Sequence, residues 1–428
     1  MEYDFYLAAK YTLKGTVEAK ILTAAEAEQL GYEDGYKEHG TNYMMYVDGF
    51  DSEAAIQTYL DDLVNCTVIQ RGADGANAAG PFQHLGRKEG CKLIDITQYV
   101  DNKTDTLIVD SFQKADSVIN HKGYRNVACS ISGGADSDII LDLCHKLDED
   151  GKIQYVWFDT SLEYQATKDH LGELEQRYGV KILRQKPVKS IPACCRQYGQ
   201  PFLSKFVSIE IERLQRHGFQ WEDEPYEVLS RRYDNCVSAL KWWCNEYNHL
   251  GSDKPSRYSI GRNRWLKEFM IANPPWFPIS SKCCHYAKKL TSDRFARENG
   301  IDLSIIGVRK AEGGVRAFAY NGCFTANGSR ATAEYRPLFW YTNATKAAYE
   351  KRFRITHSRC YTEYGMTRTG CAGCPYNRDI FKELSIIREF EPRLYQAVAF
   401  IFKDSYEYTR MYREFAEERS KEGRQRAA

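Results

Sequence analysis

Val127-Ala-Cys-Ser-Ile-Ser-Gly-Gly-Ala-Asp-Ser-Asp138 reads as a buried strand that runs into a glycine turn and then directly into a helix. That order of elements is phosphate-binding architecture: Gly133 and Gly134 let the backbone approach a ligand, and the free amides and dipole of a helix start favour an anion there. Ser132 and Ser137 add hydroxyl donors. Asp136 is an acceptor in the same turn, which suits a cation such as Mg2+ accompanying the phosphate. A nucleotide is the leading ligand, with a plain strand-to-helix connection as the bland alternative. The segment lacks the Lys-Ser/Thr ending of the P-loop and the three-glycine spacing of dinucleotide folds.

Outward from this stretch, helices and strands alternate. Asp110 to Ile119 is predicted helical, Val127 to Ile131 a strand, and Ser137 to Leu147 a helix burying Ile140, Leu143 and Leu147. Tyr155 to Phe158 is the next strand, Glu163 to Tyr178 the next helix, and Lys181 to Arg184 another strand. Such a succession predicts an α/β fold, a parallel sheet with right-handed crossovers and helices on both faces, with ligands beyond the carboxyl ends of the strands. Both the 132–137 loop and Asp159 follow a strand. Residues 1–85 carry apolar runs such as Tyr43-Met-Met-Tyr-Val47 and a Gly/Ala-rich stretch, Arg71 to Pro81, which predict a small α+β unit and a linker. The expected organisation is that unit, a nucleotide-binding domain over 108–378, and C-terminal helices over 379–428, the last broken near Pro392.

The chain has 428 residues, 43% of them hydrophobic, and a formal charge of only +1. Composition therefore excludes a globally basic nucleic-acid binder and suits a globular protein with sizeable cores. Met1-Glu-Tyr-Asp-Phe5 has no basic leader region, and no apolar run is long enough to span a bilayer, so a cytoplasmic protein with no membrane partner is expected. Fourteen cysteines in such a chain suggest thiols and metal ligands rather than disulfides.

The Ser-Gly-Gly-x-Asp-Ser loop resembles that of the adenine nucleotide alpha hydrolase superfamily, the N-type ATP pyrophosphatases and the phosphoadenosine phosphosulfate (PAPS) reductases. Asp159-Thr-Ser-Leu-Glu163 resembles the reductases' segment lining the adenosine side of the pocket, with Ser161 in place of the usual glycine. Ile305-Ile-Gly-Val-Arg-Lys-Ala-Glu-Gly-Gly-Val-Arg316 resembles their Gly-x-Arg-x-x-Glu-Ser-x-x-Arg, with Gly313 replacing the serine. The resemblance implies nucleotide contacts from Ser132, Gly133, Gly134, Asp136, Ser137, Asp159, Thr160, Glu163 and Glu312. It adds Lys205, in Gly199-Gln-Pro-Phe-Leu-Ser-Lys205, as a further anion contact. Asp136, Arg309 and Arg316 are the implied catalytic groups, the two arginines clamping phosphate or sulfate.

Cys283-Cys284 and Cys371-Ala-Gly-Cys374 together argue for four thiolates at one centre. Their separation is similar to that in assimilatory adenylylsulfate reductases, where an adjacent pair and a Cys-x-x-Cys hold a 4Fe-4S cluster, so the resemblance implies such a cluster here. Zinc is the competing metal, and Cys360 is a substitute for Cys283. Lys282, Lys288, Lys289 and Arg368 would offset the anionic cluster. Cys194-Cys195 has no partner pattern and is assigned no role.

Three functions stay open. The first is cleavage of ATP between the α and β phosphates to adenylate an acceptor for sulfur or nitrogen. The second is reduction of PAPS or adenylylsulfate to sulfite, although Cys374 is the last cysteine and no C-terminal thiol follows it. The third is a non-catalytic nucleotide-binding cluster protein that works with protein partners. The acceptor is unknown. Nucleic acid is one candidate, because Arg257-Tyr-Ser-Ile-Gly-Arg-Asn-Arg-Trp-Leu-Lys267 interleaves basic and aromatic residues; a solvated helix edge is the alternative.

Overall fold

The computed structural model describes residues 3–12, 17–39, 43–60, 66–71, 80–81, 95–101, 103–249, 254–313, 320, 322–325 and 332–427. Two compact units divide the chain. The first comprises Met1–Trp157, Leu171–Leu183 and Ala296–His357; the second comprises Phe158–His170, Arg184–Phe295 and Ser358–Ala428.

The first unit is built on two sheets. Strands β1 (Phe5–Thr12), β2 (Val17–Thr23), β3 (Lys37–His39), β4 (Tyr43–Phe50), β5 (Cys66–Arg71) and β6 (Gly80–Pro81) form a sheet in the order β3-β4-β1-β2-β5-β6. It is antiparallel except where β5 joins β2. Alternation along β1 assigns its two faces: Tyr6 and Ala8 pack with Leu22, Met45 and Val47, while Leu7 and Ala9 join the main core beside Ile108 and Phe112. The α+β character expected of the N-terminal region is present, and residues 72–79 of the expected linker lie outside the described residues.

The second sheet carries β7 (Val127–Ser130), β8 (Ile153–Phe158), β9 (Ile182–Gln185), β10 (Leu303–Ile305), β11 (Phe324–Thr325) and β12 (Ala333–Tyr335), ordered β11-β12-β10-β7-β8-β9. It is mostly parallel: β7 pairs in parallel with β8 and β10, and β10 with β12, while β11 is antiparallel. Val127, Ala128 and Cys129 are buried in succession on β7, so this central strand is apolar on both faces, as parallel sheets demand. The alternating pattern read from the sequence is thus a helix-flanked α/β sheet. Its chain order reverses between β7, which leads on to β8, and β10, so the loops after β7 and β10 lie side by side at the carboxyl ends of neighbouring strands.

The second unit is helical. One core gathers Trp242, Trp243, Phe269 and Tyr408; another gathers Tyr164, Cys194, Cys195, Cys283, Cys360, Ile387, Val398 and Phe402. The C-terminal stretch forms helices Ile380–Phe390, Pro392–Ile401 and Lys403–Ala427. Pro392 sits in the first turn of the second of these, where its missing N–H is harmless. Among the described residues no helix is long and apolar enough to cross a membrane.

Candidate functional site

In the first unit the glycine loop after β7 turns through Gly133, whose φ of 68° is the left-handed region open to glycine. Gly134 then caps the Ala135–Leu147 helix. Ser137 is turned inward. Its hydroxyl donates to the Gly134 carbonyl at 2.7 Å and accepts the Gly134 amide at 3.0 Å, and the Ser132 hydroxyl reaches it at 3.3 Å. The two serines hold the loop's shape, with the Gly134 amide donating to Ser137 Oγ at the start of the helix.

Asp136, in the first turn of that helix, carries two cations. Arg309 Nε lies 3.0 Å from both of its carboxylate oxygens, and Lys346 Nζ lies 2.8 Å from Oδ1. Burial opposes ionisation, but Lys346 and Arg309 outweigh it and hold the carboxyl below its ordinary range. Gly307 explains how Arg309 arrives. A Cβ there would stand 3.2 Å from the Asp136 backbone, tighter than an ordinary contact, so glycine eases the close approach of the loop after β10. Arg309 is 7% exposed, and its Nη1 donates to Asn343 Oδ1 at 3.1 Å, at the start of the Asn343–Phe353 helix. In this arrangement the Asp136 carboxylate is engaged by Arg309 and Lys346. Glu312 lies exposed on the turn after Arg309. Arg316 lies outside the described residues.

Behind Lys346 the charges continue to alternate. Lys346 Nζ is 3.7 Å from Glu350 Oε1, Glu350 meets His357 Nε2 at 3.0 Å, and His357 Nδ1 meets Asp138 Oδ2 at 2.8 Å. Burial disfavours a charged ring at His357, yet the hydrogen bonds and charges of Asp138 and Glu350 prevail and push its pKa up to about 9. Neither Lys346 nor His357 was legible beforehand: Lys346 and Glu350 are an ordinary i,i+4 pair in sequence, and nothing local ties them to Asp136.

In the second unit, Cys283, Cys284, Cys371 and Cys374 line one cavity together with Lys288, Ile191, Pro201, Ala287 and Phe402. Burial raises the Cys371 and Cys374 thiols, and Lys288 pulls both back. The Cys283 thiol lies within hydrogen-bonding reach of those of Cys195 and Cys284, so Cys195, given no role from sequence, is a neighbour of the quartet. Cys360 is fully buried, does not line the cavity, and has its Sγ 3.7 Å from the Thr167 hydroxyl. Lys205, at the first turn of the Lys205–Arg216 helix, is near enough to Cys284 to favour its thiolate.

The Cys371-Ala-Gly-Cys374 loop is held from both sides. Gly373 has φ 63°, its amide donates to Glu383 Oε1 at 3.0 Å, and its carbonyl accepts from the Tyr406 hydroxyl. The C-terminal helices therefore pack over the cysteine loop. Among the described residues no three His, Cys, Asp or Glu side chains are grouped to hold one metal ion. The donors are thiols set around a cavity, and that chemistry fits a polynuclear iron-sulfur cluster, whose cysteines each hold a different iron.

Asp159 and Thr160 also belong to the second unit. Asp159, 2% exposed, accepts the Ser161 amide at 2.8 Å and Arg184 Nε at 2.8 Å. Ser161 has φ 70°, the conformation that would ordinarily call for glycine. Thr160 donates to Glu163 Oε1 at 2.6 Å and also bonds Cys371. Burial pushes the Glu163 carboxyl up to about 7, against the pull of Thr160 and Lys288.

Residues 126–216 match the family model described as "Phosphoadenosine phosphosulfate reductase domain". No curated protein matches the chain. Among solved structures, phosphoadenylyl-sulfate (PAPS) reductase from Candida auris, a phosphate complex, is 13% identical, with 60% of this chain and 87% of that chain covered and a TM-score of 0.34. The U34-tRNA thiolase of Methanococcus maripaludis with its [4Fe-4S] cluster is 13% identical, covering 78% and 88%, with a TM-score of 0.31. The NH3-dependent NAD synthetase of Campylobacter jejuni is 11% identical, covering 71% and 95%, with a TM-score of 0.28. At such scores these likenesses carry no weight beside the residue geometry.

Proposed function

We propose that this PAPS reductase-like chain binds the phosphates of ATP at the 132–137 loop and cleaves ATP between the α and β phosphates, adenylating an acceptor that then receives sulfur or nitrogen. The observation that carries the proposal is Arg309, seated 3.0 Å from Asp136 at the start of the helix that follows the glycine loop. An acceptor oxygen attacks the α-phosphorus, the α–β bridging bond breaks, and pyrophosphate leaves. Negative charge grows on the α-phosphoryl oxygens and the leaving group, where the loop amides and the Arg309 guanidinium stabilise it. Asp136 holds Arg309 in place and is its positioning residue.

Cys283, Cys284, Cys371 and Cys374 would hold a 4Fe-4S cluster, which when bound supplies a site for carrying or positioning sulfur. Lys288 offsets the charge of the thiolates. A second reading, sulfonucleotide reduction to sulfite, is favoured by the family match over 126–216 and by the buried thiols around Cys195 and Cys283. It requires an internal thiolate to attack the sulfate sulfur and expel the nucleotide phosphate, and a second thiol to attack the resulting S-sulfocysteine, releasing sulfite as the two cysteines join in a disulfide.

Calorimetric titration of anaerobically purified protein with ATP, PAPS and adenylylsulfate, followed by product analysis, separates the readings. ATP binding with AMP or pyrophosphate formed is expected. Sulfite from a sulfonucleotide, without ATP binding, would replace the first reading by the second, and binding of none of the three would sink both.

A further inference from the structure

We infer that Lys346 is a second phosphate-binding cation of the nucleotide site, directed at the β phosphate and its leaving pyrophosphate, and held ready by Asp136 and Glu350. This rests on the ATP reading above and extends it to a residue outside the motifs that suggested it.

Lys346 and Arg309 reach one carboxylate from different elements. Arg309 comes from the loop after β10, and Lys346 from the first turn of the Asn343–Phe353 helix, whose N-cap Thr342 accepts the Thr345 amide. Arg309 by itself already neutralises the charge of Asp136, its Nε–H shared between both oxygens at 3.0 Å. A second, largely buried ammonium at 2.8 Å is not needed to neutralise that carboxylate, and its side chain is only 18% exposed. Withdrawing an ammonium from water has to be offset by what it gains. Arg309 and Lys346 set two cations on Asp136, in the first turn of the helix after the glycine loop, where an incoming phosphate would accept the hydrogen bonds that the ammonium has to spare.

The donor count agrees. An ammonium has three N–H donors, whereas Lys346 faces two carboxylates, Asp136 at 2.8 Å and Glu350 at 3.7 Å. The Glu350 contact is too long for a hydrogen bond, so it steers the ammonium without saturating it. Glu350 is itself fixed by His357, which Asp138 orients from the same helix that bears Asp136. The order Arg309, Asp136, Lys346, Glu350, His357, Asp138 alternates in sign and ties the Asn343–Phe353 helix to the first turn after the loop. Lys346 is thereby placed where an elongated polyphosphate, and not a nucleoside monophosphate, would extend.

The test is calorimetric binding of ATP, inorganic pyrophosphate and AMP to the full chain and to Lys346→Met. The variant should bind ATP and pyrophosphate about tenfold or more weaker, with AMP affinity within about twofold of the parent. Lys346→Arg should recover most of the loss. Equal affinity of the parent and Lys346→Met for all three ligands, or equal loss for all three, would overturn the inference while leaving the ATP reading in place. A parent chain that binds neither ATP nor pyrophosphate would overturn that reading itself, and the inference with it. If Lys346→Met does not fold, Lys346→Gln, which keeps a polar side chain, takes its place under the same criteria.

Discussion

Removing the proton from His357 should destabilise the first unit by about 2 to 3 kcal/mol. The ring is 18% exposed and lies between Asp138 at 2.8 Å and Glu350 at 3.0 Å, which push its pKa up to about 9 despite burial. The ordinary value is about 6.5, and a gap of that size corresponds to about 3 kcal/mol of tighter proton binding in the folded state. The partly solvated edge of the ring lowers this to about 2 to 3 kcal/mol. Because the folded-state pKa is raised, the stabilisation is fully present below about pH 6.5 and is lost as pH rises through about 9. Urea denaturation of the parent and of His357→Gln across about pH 6 to 10 reads the effect as the difference between the two, in which other titrating groups cancel. The parent's advantage should be flat at the acid end, decline by about 2 to 3 kcal/mol in total as pH rises above about 6.5, and level off beyond about 9. The chain has nine histidines, so NMR of the ring protons, with the variant identifying the missing signal, gives the titration directly. A His357 ring that titrates near 6.5, or a stability difference that does not change with pH, would refute the clamp.

Two further outcomes follow from the cysteine loop. Replacing Cys371 and Cys374 with Ser should abolish iron and sulfide uptake on anaerobic reconstitution, measured by metal and sulfide analysis, where the parent should take up about four of each. Full iron retention in that variant would remove the pair as ligands, and a single zinc in the parent would replace the cluster. Gly373→Ala should destabilise the second unit by about 2 to 4 kcal/mol in chemical denaturation, since φ is 63° and the new Cβ would meet the Tyr406 hydroxyl at 2.6 Å and Val398 at 2.9 Å. A neutral effect would show that the loop does not depend on that close approach.

Much of the sheet was readable because its signals are local. Val127 to Ile131 is mostly apolar and is soon followed by Gly133, and a strand, turn and helix form there, the strand ending at Ser130 and the helix starting at Ala135, two residues before the expected Ser137. The same holds for β8, β9 and the C-terminal helices, where hydrophobic period and Pro392 act over a few residues. The two cysteine pairs could be joined because thiols at such spacing have few other uses in a chain of this size, and the fold does bring all four to one cavity.

What sequence could not supply was the partner of each charged group, since that depends on which strands become neighbours. Asp136 suits a metal ion when read alone; once β10 lies beside β7 and Gly307 admits close approach, Arg309 occupies both of its oxygens, and Lys346 arrives from a helix more than two hundred residues downstream in the chain. Cys195 beside Cys283 and His357 between two carboxylates are products of the same long-range packing. The chain alone marked a glycine turn between a strand and a helix, and two cysteine pairs, because each of these is written in neighbouring residues. Only the tertiary structure decided which charges face one another at the loop, because Coulomb interactions and hydrogen bonds depend on distances in space that no local pattern encodes.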